Sequence, residues 1–92
     1  MQSNSIYKIP NGKLLKVKIE HNDNKIKSIK ITGDFFIYPE EAIDKIEKEL
    51  IDIKLERIIV FEKLNEIVNN DNIEFIGLNI DGLTDGIMMC LK

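Results

Sequence analysis

Histidine, cysteine and closely spaced carboxylates carry much of protein chemistry, and this chain has one His and one Cys. His21 stands in the run His-Asn-Asp-Asn from 21 to 24. An imidazole can move protons near neutral pH or bind zinc, but no second histidine and no nearby cysteine joins it, so it reads as a solvated turn residue. Cys90 as a lone cysteine excludes an internal disulfide and a multi-cysteine metal site. It falls close to the apolar stripe of the last segment, the place of a small core residue rather than a nucleophile. The stretch Gly12-Lys13-Leu14-Leu15 lacks the preceding spaced glycine and the Ser or Thr after lysine that a phosphate loop needs. Glu40 and Glu41 are adjacent acids, but a helix start explains them. The residues therefore assign no catalytic group and no metal ligand.

Lysine is the more suggestive residue type. From Lys8 to Lys30 there are seven lysines against Glu20 and Asp23, while Ile31 to Lys92 carries fourteen acids against six bases. A basic ribbon is thus joined to acidic helices within a chain of net charge -3. Lysines on exposed strands usually form a solvated face or guard an edge against pairing. Lys16, Lys18, Lys25, Lys27 and Lys30 are also spaced to neutralise phosphates, which makes a basic-hairpin RNA binder an alternative. The acidic balance and the lack of interleaved aromatics argue against a nucleic-acid partner.

These residues need elements to position them. "KLLKVKIE", Lys13 to Glu20, alternates Leu15, Val17 and Ile19 with Lys16, Lys18 and Glu20, the period of a half-buried strand. His21 to Asn24 is a turn cluster, and "KIKSIKIT" reads as the returning strand of a hairpin. Ile26 is out of register with Ile29 and Ile31, which a bulge or a strand start near Lys27 repairs. "IYKIP" adds a short strand ended by Pro10-Asn11-Gly12. Pro39 suits the first position of a helix that buries Ala42, Ile43, Ile46 and Leu50, with Glu41–Lys45 and Asp44–Lys48 as exposed pairs. A second helix spans about Glu56 to Val68 with Phe61, Leu64, Ile67 and Val68 inward, and Asn69 to Asn72 breaks it. "IEFIG" leads into a last helix with Asn79 as N-cap. Its inward residues are Ile80, Leu83, Ile87 and Leu91, and Gly82 and Gly86 mark a close backbone approach or a later start.

Strands first and helices afterwards predict an α+β fold, a small antiparallel sheet with about three helices packed on one face. At 92 residues the chain is read as one domain, 1–92, which buries somewhat more than roughly 60% of its unfolded surface. The hydrophobic fraction of 43% and the charged fraction of 32% are those of a soluble protein. No apolar run approaches the roughly 18 residues of a membrane span. The start "MQSNSIYK" lacks signal-peptide regions, so a cytoplasmic protein without a membrane partner is expected.

"PNGKLLKVKIE" followed by "NKIKSIKITGDFFIYPEEAIDKIEKEL" resembles the accessory domain of lipoate protein ligase, which is a C-terminal domain in many bacterial enzymes and a separate small subunit in some archaea. The likeness is clearest from about Lys8 to Leu50; the second half matches in layout, with Asp81-Gly82 where the family has Pro and acidic residues. The resemblance implies a non-catalytic small subunit of a two-chain ligase, a heterodimer with a large catalytic subunit. Such ligases activate lipoate with ATP to lipoyl-adenylate and lipoylate a lysine of a carrier domain, in 2-oxoacid dehydrogenases or the glycine cleavage H protein. It implies that ATP, magnesium and lipoate are held by the catalytic partner, with no cofactor on this chain alone. A free-standing interaction module related in fold to iron-sulfur assembly scaffolds is the other alternative.

Phe35 and Phe36 cannot both enter one core from one strand. If the strand of Ile29 and Ile31 continues, Phe35 enters the core, and Phe36 and Tyr38 share the opposite face with Thr32 and Asp34. That face is then the partner-binding surface. If the chain bends at Gly33-Asp34, both rings are buried and Asp34 caps the next helix. Lys13, in the family-like "GKL", either contacts the partner or the adenylate phosphates, or is solvated. The candidate partner-binding residues are Lys13, Asp34, Phe36 and Tyr38.

Overall fold

In a computed structural model that describes residues 1–91, the alternation of Leu15, Val17 and Ile19 with lysine does what a period of two requires. Strand β2 (Leu14–Asn22) buries the first set and exposes the second. It is flanked by β1 (Gln2–Lys8) and β3 (Lys25–Gly33) in an antiparallel sheet of order β1-β2-β3. Val17 stands between Ser5 and Ile31, and Ile19 between Ser3 and Ile29. The hairpin between β2 and β3 turns on Asp23 (φ 53°) and Asn24 (φ 61°), both left-handed as a two-residue hairpin loop demands. The register steps after Glu20, so Glu20 faces Ser28 and His21 faces Ile26. Lys27 is the extra residue of this bulge, and the step returns Ile26 to the core.

His21 is therefore a strand residue rather than a turn residue, hydrogen-bonded to Ser3 Oγ through Nε2 at 3.2 Å. The first strand runs longer than "IYKIP" suggested, because its inward residues Ser3, Ser5 and Tyr7 include polar ones that blur the alternation. Ser5 is buried, and its hydroxyl donates to the Gly86 carbonyl at 2.7 Å.

Three helices follow, α1 (Ala42–Glu49), α2 (Arg57–Asp71) and α3 (Ile80–Met89). α3 packs against β1 and β2 and α1 against β3, and α2 packs on α1 and α3. Asn79 caps α3, its side chain accepting the Gly82 N–H at 2.6 Å. Gly82 and Gly86 do mark a close approach: a Cβ on Gly86 would lie 2.4 Å from Leu15 Cδ2, and one on Gly82 2.9 Å from Ile9 Cγ2. Cys90 is buried behind them, and burial pushes its thiol pKa up, as a core residue requires.

Several local expectations are corrected. Pro39 precedes α1 instead of opening it; its carbonyl accepts the Ala42 N–H at 3.0 Å and Glu41 is the N-cap. Lys45 reaches Asp71 on α2 at 2.8 Å rather than Glu41, so its charge ties two helices together. The buried stripe of α2 is Val60, Leu64 and Ile67, with Phe61 and Val68 half-buried at its margins. That helix runs through Asn69 and Asn70 and ends only at Asn72, whose left-handed backbone (φ 52°) lets the Ile73 N–H close on the Val68 carbonyl at 3.1 Å. Leu91 lies beyond α3 and is exposed, its expected inward place being taken by Cys90.

Candidate docking face

"FIY" and "EFI" are too short to announce themselves as strands, yet they pair. Strand β4 (Phe36–Tyr38) and β5 (Glu74–Ile76) form a separate antiparallel ribbon, with Phe36 opposite Ile76 and Tyr38 opposite Glu74. Alternation turns Ile37 inward to be buried and Phe75 inward to be half-buried. It turns Phe36 (63% exposed), Tyr38 (49%) and Ile76 (53%) outward. An exposed cluster of two rings and an isoleucine on one small ribbon is more apolar than the fold itself requires.

The rings reach the surface by a different route from a continued strand. Strand β3 ends at Gly33, whose φ of 156° and close approach to Leu14 O exclude a side chain. The Asp34 N–H donates to the Leu14 carbonyl at 3.0 Å, and a new strand starts at Phe36. Phe35 folds back, half-buried against the core. Asp34 is exposed and lies seven positions before the N-cap Glu41, so it does not cap α1.

Lys13 lies at the same end of the molecule. Its N–H donates to the Gly77 carbonyl at 2.9 Å, and its stem covers Gly77, the residue after Ile76. The structure thus brings Lys13, Asp34 and Phe36 together through the backbone bonds of the chain around Leu14, while Tyr38 stands at the far end of β4. Ile76 is the member that sequence reading missed; the signal was Ile76 two positions after Glu74, too short a run to show a period.

The "GKLL" stretch is no phosphate cradle. The Gly12 N–H donates to Ile9 O at 2.8 Å and that of Lys13 to Gly77 O, so neither is free for an anion. Among the described residues no group of three or more His, Cys, Asp or Glu side chains is placed to hold a metal ion. No helix among them is long and apolar enough to cross a membrane.

Residues 4–87 match the family model described as the bacterial lipoate protein ligase C-terminus. The chain belongs to that family. Within the lipoate ligase C-terminal family, it is similar to lipoate-protein ligase A subunit 2 of Thermoplasma acidophilum, 37% identical over 57 residues. That alignment covers 62% of this chain and 54% of the relative, so the chain spans about half the length of the curated relative it matches. Its fold is similar to a chain in the structure of an archaeal lipoylation system, a bi-partite lipoate protein ligase and its E2 lipoyl domain from Thermoplasma acidophilum. The TM-score is 0.83 at 25% identity, with 95% of this chain and 94% of that chain covered. The α+β architecture expected from the order of strands and helices is that of this ligase domain.

Proposed function

We propose that this protein is the non-catalytic small subunit of a two-chain lipoate protein ligase, needed with a large catalytic chain for ATP-dependent activation of lipoate to lipoyl-adenylate. The observation that carries this reading is the Phe36–Ile76 pair, with Tyr38 beside it, exposed on a ribbon of a lipoate ligase accessory fold. Buried aromatic anchors dominate binding energy in interfaces, and these rings leave about half or more of their surface uncovered by the described residues of their own chain. On this reading ATP, magnesium and lipoate belong to the catalytic chain; in this chain the Gly12 and Lys13 N–H groups are already bonded to the Ile9 and Gly77 carbonyls. The lipoyl carrier domains are reached only through the assembled ligase.

A subunit without reacting groups contributes the free-energy difference between open and closed states of its partner. Docking that favours a closed, nucleotide-ordering conformation raises the rate of adenylate formation and affects much less the later transfer of the lipoyl group to a carrier lysine. Lys13 and Asp34, beside Phe36, are the polar members of the docking face.

The test is reconstitution with the purified catalytic chain, lipoate, ATP and magnesium. This chain alone forms no lipoyl-adenylate, and adding it to the catalytic chain accelerates adenylate formation. Robust adenylate formation by this chain alone would end the reading.

A further inference from the structure

Lys18 stands directly opposite Lys30 across β2 and β3, so two like charges face each other, an arrangement that costs stability. Lys16 lies on the same face, between Ile6 and Thr32. Among the described residues none of these three lysines has a carboxylate within ion-pair distance, as is true also of Lys8, Lys13, Lys25 and Lys48, whereas Lys27, Lys45, Lys54, Lys63 and Arg57 each have at least one. Guarding an edge does not explain them. Lys16 and Lys18 are on the central strand, and the outer rim of β3 is already occupied: Glu47 accepts the Ile31 N–H, and Ile26 bonds through its N–H to Ile53 and through its carbonyl to Asp52.

The helices cover the other face of the sheet, leaving this one open, with Ile6 on the edge strand β1 65% exposed beside Lys16. Thr32 lines both the hollow over this face and a second hollow at the outer edge of β3, where Phe36 and Glu40 stand, so the two are neighbours across the end of β3. The charge is segregated: the rest of the chain from Ile31 onward is strongly acidic. A positive face on an acidic protein repels least, and attracts most, a partner that is acidic where it lands. The apolar Ile6 beside Lys16 and the acid Glu20 in the row next to Lys18 and Lys30, with no ring among the lysines, suit a protein surface better than a nucleic acid.

We infer that the open face of the three-stranded sheet is the electrostatic half of the docking surface, and that Lys16, Lys18 and Lys30 take a carboxylate-bearing patch of the catalytic chain that also covers Ile6. The inference rests on the two-chain reading above. The lysines steer encounter while the Phe36 end holds the complex, so the two halves act on different rate constants.

Association with the purified catalytic chain is measured at low salt and at about 1 M salt, where the screening length is about 3 Å. The Lys16→Glu/Lys18→Glu/Lys30→Glu variant should slow association by roughly tenfold or more at low salt, with little effect at high salt. Lys16→Gln/Lys18→Gln/Lys30→Gln should show a smaller loss of the same kind. Phe36→Ala should mainly speed dissociation. In the isolated chain, Lys30→Glu should raise Tm, because Lys18 then faces an opposite charge; a lower Tm would make this face a part of the fold's own stability and overturn the inference. Association unchanged by lysine reversal but weakened by Phe36→Ala discards the electrostatic half and leaves the two-chain reading standing. No complex with the unaltered chain discards both. If the reversal instead abolishes binding of a single-stranded RNA oligonucleotide, or changes only self-association in sedimentation, the face belongs to RNA or to a second copy, and the inference is wrong.

Discussion

The Glu47 carboxylate accepts the Ile31 N–H at 2.8 Å, so a side chain of α1 closes the outer rim of β3 where a neighbouring strand would otherwise pair. Hydrogen bonds to a charged acceptor contribute more than neutral ones, and losing this one leaves a strand N–H without its partner. Glu47→Ala should cost about 1.5 to 3 kcal/mol of stability in urea unfolding. Glu47→Gln, which keeps an acceptor oxygen, should lose less than half as much. Equal losses would mean that the negative charge of the carboxylate, rather than an acceptor oxygen at that place, carries the contribution.

Adjacent phenylalanines with opposite surroundings should respond differently to the same truncation. Phe36→Ala and Tyr38→Ala remove exposed rings and should leave Tm nearly unchanged, while each weakens binding to the catalytic chain by about 2 kcal/mol. Ile76→Ala, directly opposite Phe36, should weaken the same complex. Phe35→Ala should destabilise the isolated chain by about 2 to 3 kcal/mol, below the range for a fully buried ring because Phe35 is half-buried. Thermal melts and calorimetric titration read the two effects separately; a Phe36→Ala variant that unfolds like Phe35→Ala removes the outward assignment.

The contact of α3 with the sheet depends on a missing side chain. With Leu15 Cδ2 only 2.4 Å from where a Cβ would stand, Gly86→Ala forces the helix outward or Leu15 into a poorer rotamer. Overpacking of this kind should cost about 1 to 3 kcal/mol. Adding Leu15→Val should recover part of the loss, a coupling that a double-mutant cycle measures directly.

Cys90 makes stability sensitive to alkali. Burial raises its folded pKa, so the unfolded chain releases the thiol proton at a lower pH than the folded chain. The folded state then binds more protons, and stability should fall as pH rises above about 8.5, the ordinary cysteine value. Below that pH the thiol is protonated in both states and contributes no slope. Unfolding of Cys90→Ala across the same range should lack this component, whatever it loses uniformly by truncation. An unchanged slope in that variant would assign the alkaline loss to Tyr7 or Lys45, whose pKa values are also raised.

Much of this protein was determined by local pattern alone. The alternation of Leu15, Val17 and Ile19, the slipped phase of Ile26 and the Asn79 cap are set by backbone geometry over a few residues, and each stands where that geometry put it. The opposition of Phe35 to Phe36 and Tyr38 was one of two readings the sequence left open, and it arises not from a continued strand but from a break after Gly33 and a new strand from Phe36. Tertiary structure decided what depends on segments far apart in the chain. Ile76 joins Phe36 only because β4 and β5, three residues each, complete their hydrogen bonds with one another across nearly forty positions. Lys13 meets the chain after Ile76 through a bond to Gly77 that no sequence spacing records. Lys16 and Lys18 look like edge guards until strand order makes β2 central, and strand order follows from which faces the helices bury rather than from the period of any one strand. Side-chain direction is a local consequence of φ and ψ, whereas the choice of neighbours is made by the shared burial of distant residues.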